Sequence, residues 1–172
     1  MMSMRMKYFK HAYIPAGIAM LAAGVAGCKQ LDNDRIPPAP VYIPFQSEDL
    51  WRLYGTPASP TFRYFIKSER QPSGYPYSAL SETGYGGVLL VADIHNQPCA
   101  FDLSCPVEAR RDVRIVVDTE KADAYCPRCH SRYSIYSNGG IPTSGPALDD
   151  SYGLQRYSVT YGQNGEYITV TR

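Results

Sequence analysis

Two short cysteine loops constrain this chain more than any other feature. The first reads Cys105-Pro106-Val107-Glu108, the second Cys126-Pro127-Arg128-Cys129-His130-Ser131. Each opens with a cysteine followed by proline, which holds the backbone dihedral next to the sulfur. Between the loops, Val113 to Asp118 alternates, turns at Glu120 to Asp123 and returns through Tyr125. Beyond them lie Arg132 to Tyr136, a turn at Asn138-Gly139-Gly140, the stretch Ser144-Gly145-Pro146-Ala147, and Leu154 to Tyr161. Period-two patterning interrupted every few residues by turn chemistry predicts short antiparallel strands.

In this order the segment resembles the cluster-binding half of a Rieske domain. There a C-x-H loop and a C-x-x-H loop hold a 2Fe–2S cluster, with two cysteines on one iron and two histidines on the other. Cys105 and Cys126 stand at the cysteine positions, whereas Val107 and Cys129 replace the histidines and His130 stands where the family usually has glycine. The resemblance implies that the two loops face each other at one tip, bringing Cys105, Cys126 and Cys129 together, and that Gly145-Pro146 covers them. The expectation is one all-β domain, a Rieske-like β-sandwich or barrel, over residues 41–172.

The rest of the chain agrees with an all-β reading. Fifteen tyrosines with 14 glycines and 14 prolines favour strands and turns over long helices. Strands are expected at Val41 to Phe45, Thr61 to Lys67, Gly87 to Ala92 and Cys99 to Leu103, with a helical turn at Ser47 to Leu53. Gln71 to Gly86 reads as a long loop, and His95-Asn96-Gln97-Pro98 as a turn. Leu154 to Tyr161 is expected to pair with Glu166 to Thr171 across Gly162-Gln163-Asn164-Gly165. Tyr133, Tyr136, Tyr152, Tyr157, Tyr161 and Tyr167 are expected to fill the core or form cross-strand pairs.

The sulfurs leave several chemistries open. Cys99 precedes Cys105 by six residues on one expected strand, about 20 Å at strand rise, so it belongs to no shared tetrahedral site and reads as a buried, inert thiol. A single zinc on Cys105, Cys126 and Cys129, with Glu108 or His130 as candidate fourth ligand, is one reading. An altered iron–sulfur centre on the same residues is another. A third is a disulfide from Cys105 to Cys126 or Cys129, with no cofactor at all. His95 reads as an exposed turn residue. Glu108, Asp149 and Asp150 otherwise read as isolated loop carboxylates, and Arg110-Arg111 as a solvated face.

The first residues address location. Arg5, Lys7 and Lys10 precede an apolar small-residue run, Ala16 to Gly27, too short to span a bilayer. Its ending, Val25-Ala26-Gly27-Cys28, resembles a bacterial lipobox, which implies cleavage after residue 27 and lipidation of Cys28. Residues 28–40, with three prolines, are expected to be a flexible tether. Several acyl chains anchor firmly, and Lys29 is not the aspartate that retains many lipoproteins in the inner membrane. A cell-envelope location, at the outer membrane, is therefore expected.

The precursor carries 17 Lys+Arg against 16 Asp+Glu; loss of Arg5, Lys7 and Lys10 with the leader leaves 14 against 16. No basic stripe remains, which argues against a nucleic-acid partner. No nucleophile elbow or paired acid–base motif is present, so catalysis is not expected. The functions left are a membrane-anchored metal carrier, a 2Fe–2S electron-transfer protein with an envelope protein partner, and a cofactor-free binding or assembly module on the same scaffold.

Overall fold

The computed structural model describes residues 30–161 and 168–172. Residues 1–29, which hold the expected leader and Cys28, and residues 162–167, which hold the expected turn and Tyr167, lie outside the described residues. The first half contains β1 (Val41–Phe45), α1 (Glu48–Tyr54), β2 (Phe62–Phe65), β3 (Glu82–Thr83), β4 (Val88–Ala92) and β5 (Pro98–Asp102). The second contains β6 (Val116–Asp118), β7 (Asp123–Tyr125), β8 (Arg132–Ser134), β9 (Ile141–Ser144), α2 (Pro146–Asp150), β10 (Arg156–Tyr161) and β11 (Ile168–Thr171). The protein is mostly β, as expected.

Seven strands form a nearly closed, barrel-like antiparallel sheet in the order β2-β4-β5-β10-β11-β1-β3. A smaller sheet, β6-β7-β8-β9, carries the second cysteine loop between β7 and β8, and the first leads into it from β5. The two are joined where the chain beyond β5 continues beside the entry to β6: the Ile115 N–H donates to the Leu103 carbonyl at 2.8 Å and the Cys105 N–H to the Val113 carbonyl at 2.9 Å. The first cysteine is thus the last rung of a ladder running out of the large sheet.

β4 explains how two cores share one sheet. All five of its residues are buried, and successive side chains point to opposite faces. Val88 and Leu90 join Ile43, Phe45, Trp51, Phe65 and Val170 in one core; Leu89 and Val91 join Phe101, Leu103, Ile115, Tyr133 and Leu154 in the other, directly beneath the cysteine loops. That is why the sequence reads there as a continuous apolar run. Ser47 caps α1 by accepting from the Leu50 N–H, and the helix seats Trp51 edge-on against Phe45 with ring centroids 5.0 Å apart.

Three expectations change. The stretch Gln71 to Gly86 is more than a surface loop: it places Tyr75 in the first core, with its hydroxyl donating to the Pro44 carbonyl at 2.6 Å, and pairs β3 with β1. Ser144 to Ala147 is divided between β9 and α2 rather than forming a simple loop. Among the tyrosines, Tyr133, Tyr136 and Tyr157 are buried and Tyr161, though exposed, pairs across strands with Ile168, as expected. Most consequentially, the expected tether packs on the domain. Asp32 forms a parallel bridge with Tyr152, and Ile36 is only 2 % exposed. The Arg35 guanidinium lies 4.1 Å over the Tyr152 ring. Burial of Ile36 and stacking of Arg35 supply the local energy that proline-rich composition did not advertise.

Candidate metal centre

Both loops are tight, self-bonded turns. In the first, the Ala109 N–H donates to the Cys105 carbonyl at 2.8 Å; in the second, the Cys126 N–H donates to the Ser131 carbonyl and the His130 N–H to the Cys126 carbonyl, both at 2.9 Å. Closing the second turn puts His130 in the left-handed region at φ 60°, where glycine would be unstrained. These turns aim three sulfurs at one point. The ligand atoms of Cys105, Cys126 and Cys129 all lie within 4.8 Å of one another, and the Cys105 and Cys129 sulfurs are 3.5 Å apart. No pair is bonded; the four described cysteines are free thiols.

The sequence-predicted candidates for a fourth ligand do not join them. Glu108 pairs with Arg128 at 3.3 Å, tying the first loop to the second, so it is not the isolated carboxylate expected. His130 points into solvent, and neither residue enters the sulfur group. Cys99 is outside as expected, but half-buried rather than buried. Burial raises its thiol above the usual value, partly offset by the nearby Arg156. Arg110 pairs with Asp112 at 2.8 Å and Arg111 stacks on Tyr85, so that face is organised rather than merely solvated.

Two residues with no site role expected of them reach the sulfurs. The Tyr133 hydroxyl is 3.7 Å from the Cys105 sulfur and the Ser131 hydroxyl 3.3 Å from that of Cys129. Both follow from position: Ser131 ends the turn, and Tyr133 points inward one alternation further along β8. Ser131 is itself held by α2, because the Ala147 N–H donates to its Oγ at 3.0 Å. The Cys129 thiol donates to the same Oγ, and once ionised it can instead accept the Ser131 hydrogen. Gly145, at φ 77°, makes this approach possible, since a Cβ there would meet the Ser131 Cα at 2.9 Å.

The three thiols differ in environment. Burial pushes Cys105 up to about 12, the Cys126 thiol beside it adding to the effect. Cys126 is also raised, chiefly by burial. Burial opposes ionisation of Cys129 too, but the Ser131 hydroxyl and N–H, with the neighbouring thiols, outweigh it and hold this thiol below its usual value. A dication would ionise all three outright, since thiolate rather than thiol binds metal.

Beneath the site lies a second polar cluster. Asp102 is fully buried and accepts four sets of hydrogens: from the N–H groups of Tyr85 at 2.9 Å, Gly86 at 3.1 Å and Ser104 at 2.7 Å, and from the Tyr157 hydroxyl at 2.6 Å. Ser104 is the residue before Cys105, so this carboxylate fixes the stem of the first loop. In sequence Asp102 is a lone acid ending an apolar strand, and only its neighbours across three strands give it a role. Among family models, curated proteins and solved structures, none matches this chain.

Proposed function

We propose that the protein is a lipid-anchored envelope protein whose Rieske-like domain carries one metal ion on Cys105, Cys126 and Cys129, with zinc the best-matched ion. The observation that carries this reading is the mutual closeness of the three sulfurs, within 4.8 Å. Bonds of about 2.3 Å at tetrahedral angles require sulfurs about 3.8 Å apart, and the Cys105–Cys129 separation of 3.5 Å is close to that. So tight a group suits one ion better than two bridged irons, whose ligands must spread across the pair. The three residues leave a fourth position for solvent or a partner's ligand, as in zinc sites that exchange ligands.

The Cys105 loop, leading from β5 into β6, and the Cys126 loop, between β7 and β8, converge at one end with the α2 turn laid over Ser131, and this supports the Rieske-like reading of the scaffold. The anchor reading rests on the Val25-Ala26-Gly27-Cys28 ending of the leader; no helix among the described residues is long and apolar enough to cross a membrane. A redox centre is the second reading, favoured by the Ser131 and Tyr133 hydroxyls lying within hydrogen-bond reach of sulfur, since such contacts tune reduction potentials.

Purification without oxygen or chelator, followed by metal analysis, tests both. About one zinc per chain without visible absorbance supports the first reading, and iron with sulfide and visible absorbance supports the second. Cys129→Ser should release most of the metal in either case. A metal-free, colourless native protein refutes both and leaves the cofactor-free module.

A further inference from the structure

The packed N-terminal segment decides which end of the domain faces an anchor. The Asp32 N–H donates to the Ser151 carbonyl and the Gly153 N–H to the Asp32 carbonyl, both at 2.8 Å, clamping this residue just beyond α2. At its other end α2 lies on Ser131, which touches the Cys129 sulfur. α2 has five residues, about 7.5 Å of helix. Three residues after Asp32, the Arg35 Nε donates to the Pro106 carbonyl at 3.3 Å, beside Cys105. The chain therefore enters the domain at the cysteine tip, stitched directly to the first loop and, through α2, to the second.

From this we infer that the cysteine tip is held against the membrane surface, which covers it. The inference rests on the reading of Cys28 as the lipidated residue. Asp32 lies four residues along the chain from Cys28, and that length fully extended spans at most about 14 Å. A domain of this length has a radius of gyration of about 14 Å and is more than ~30 Å wide. So short a leash cannot pass around the domain to put the tip on the far side. Two leucines flank the entry: Leu31, 37 % exposed and packed over Gly153, and Leu148 on α2, 49 % exposed. Asp32, Asp34, Asp149 and Asp150 are also exposed at this end, so lipid attachment and leucine contact, rather than charge, hold it to the headgroups. A soluble protein of ordinary width does not fit the gap that remains. The reactant that meets the sulfurs is then one presented at the bilayer surface.

The test uses the full lipidated chain in phosphatidylcholine vesicles, with Cys99→Ser to remove the competing described thiol and a chelator to clear any metal. Alkylation of Cys129 is timed with N-ethylmaleimide and with a maleimide bearing a polyethylene glycol chain wider than the gap. Each rate is compared with that of a variant carrying twenty extra Gly/Ser residues after Lys29. The small reagent should react equally with both forms. The bulky reagent should react at least about tenfold more slowly without the insertion, a factor equivalent to about 1.36 kcal/mol on the barrier. Equal bulky-reagent rates in the two membrane-bound forms overturn the orientation and leave the anchor reading standing. Protein that washes off the vesicles overturns the anchor reading itself. In case chelation disturbs the fold, Leu148→Trp in untreated protein supplies an independent measure. Lipids brominated near the headgroup should quench it, and the insertion should abolish the quenching; quenching no greater than that of Trp51 alone also overturns the orientation.

Discussion

Replacing Asp102 with alanine should be among the most damaging single changes in this protein. The substitution removes one fully buried carboxylate and orphans the N–H groups of Tyr85, Gly86 and Ser104 and the Tyr157 hydroxyl. A buried donor left unsatisfied costs about 1–3 kcal/mol. Some water can enter the space vacated by the carboxylate, so the lower end applies, about 4 kcal/mol in all. That is a large share of the about 5–15 kcal/mol that holds a domain together. At about 3–4 °C per kcal/mol for a domain of this size, the midpoint should fall by roughly 10–15 °C. Differential scanning calorimetry measures it, and a double-mutant cycle with Tyr157→Phe identifies the cause. Alone, Tyr157→Phe should cost about 1.5–3 kcal/mol, the value of a hydrogen bond to a charged group. With Asp102 already gone it should cost almost nothing. A midpoint shift below about 3 °C for Asp102→Ala, or additive effects in the cycle, would refute the view that this carboxylate organises the stem of the first loop.

Three further outcomes follow from particular residues. Ile36→Ala should destabilise by about 2–4 kcal/mol in urea unfolding, as for any fully buried isoleucine; a loss under about 0.5 kcal/mol would mean that the N-terminal segment does not pack. His130→Gly should relieve the left-handed strain at φ 60° and raise stability by up to about 1 kcal/mol, with metal content unchanged because His130 stands outside the sulfur group. Loss of metal in that variant would identify His130 as a ligand. Asp118 is held below the usual carboxylate range, first by its hydrogen bond to Arg132. Its contribution is therefore present above its unfolded value of about 3.9 and is lost as pH falls through the lower folded value. Asp118→Asn should flatten the fall in stability with acid below about pH 4; an unchanged slope in melts across that range would rule the pair out as a source of acid sensitivity.

Much of this architecture was readable from neighbours along the chain, because alternation and turn chemistry are local. β1, β4, β5, β10 and α1 fall within a residue or two of the expected stretches, and the cysteine loops are bounded by the strands their flanks suggest. The segments that failed are those whose structure depends on distant partners. Residues 71–86 contain no period because they serve distant partners, inserting Tyr75 beneath Pro44, pairing β3 with β1 and supplying the Tyr85 and Gly86 N–H groups to Asp102. α2 is too short to show a helical stripe and exists because Ser131 accepts its Ala147 N–H. Asp32 to Ile36 looks like a tether because its energy comes from Tyr152 and Pro106, more than seventy residues away in sequence.

The candidate site divides in the same way. The sequence by itself determined that three cysteines sit on two short loops between strands, since loop spacing and the flanking alternation are properties of contiguous residues. Only the tertiary structure decided that their sulfurs meet, that Ser131 and Tyr133 reach them, and that Glu108 is drawn away to Arg128. Side-chain direction at a turn depends on how two loops are oriented, and that orientation is set by packing beneath them: by the buried strand β4, the Asp102 network and the N-terminal segment laid across the tip.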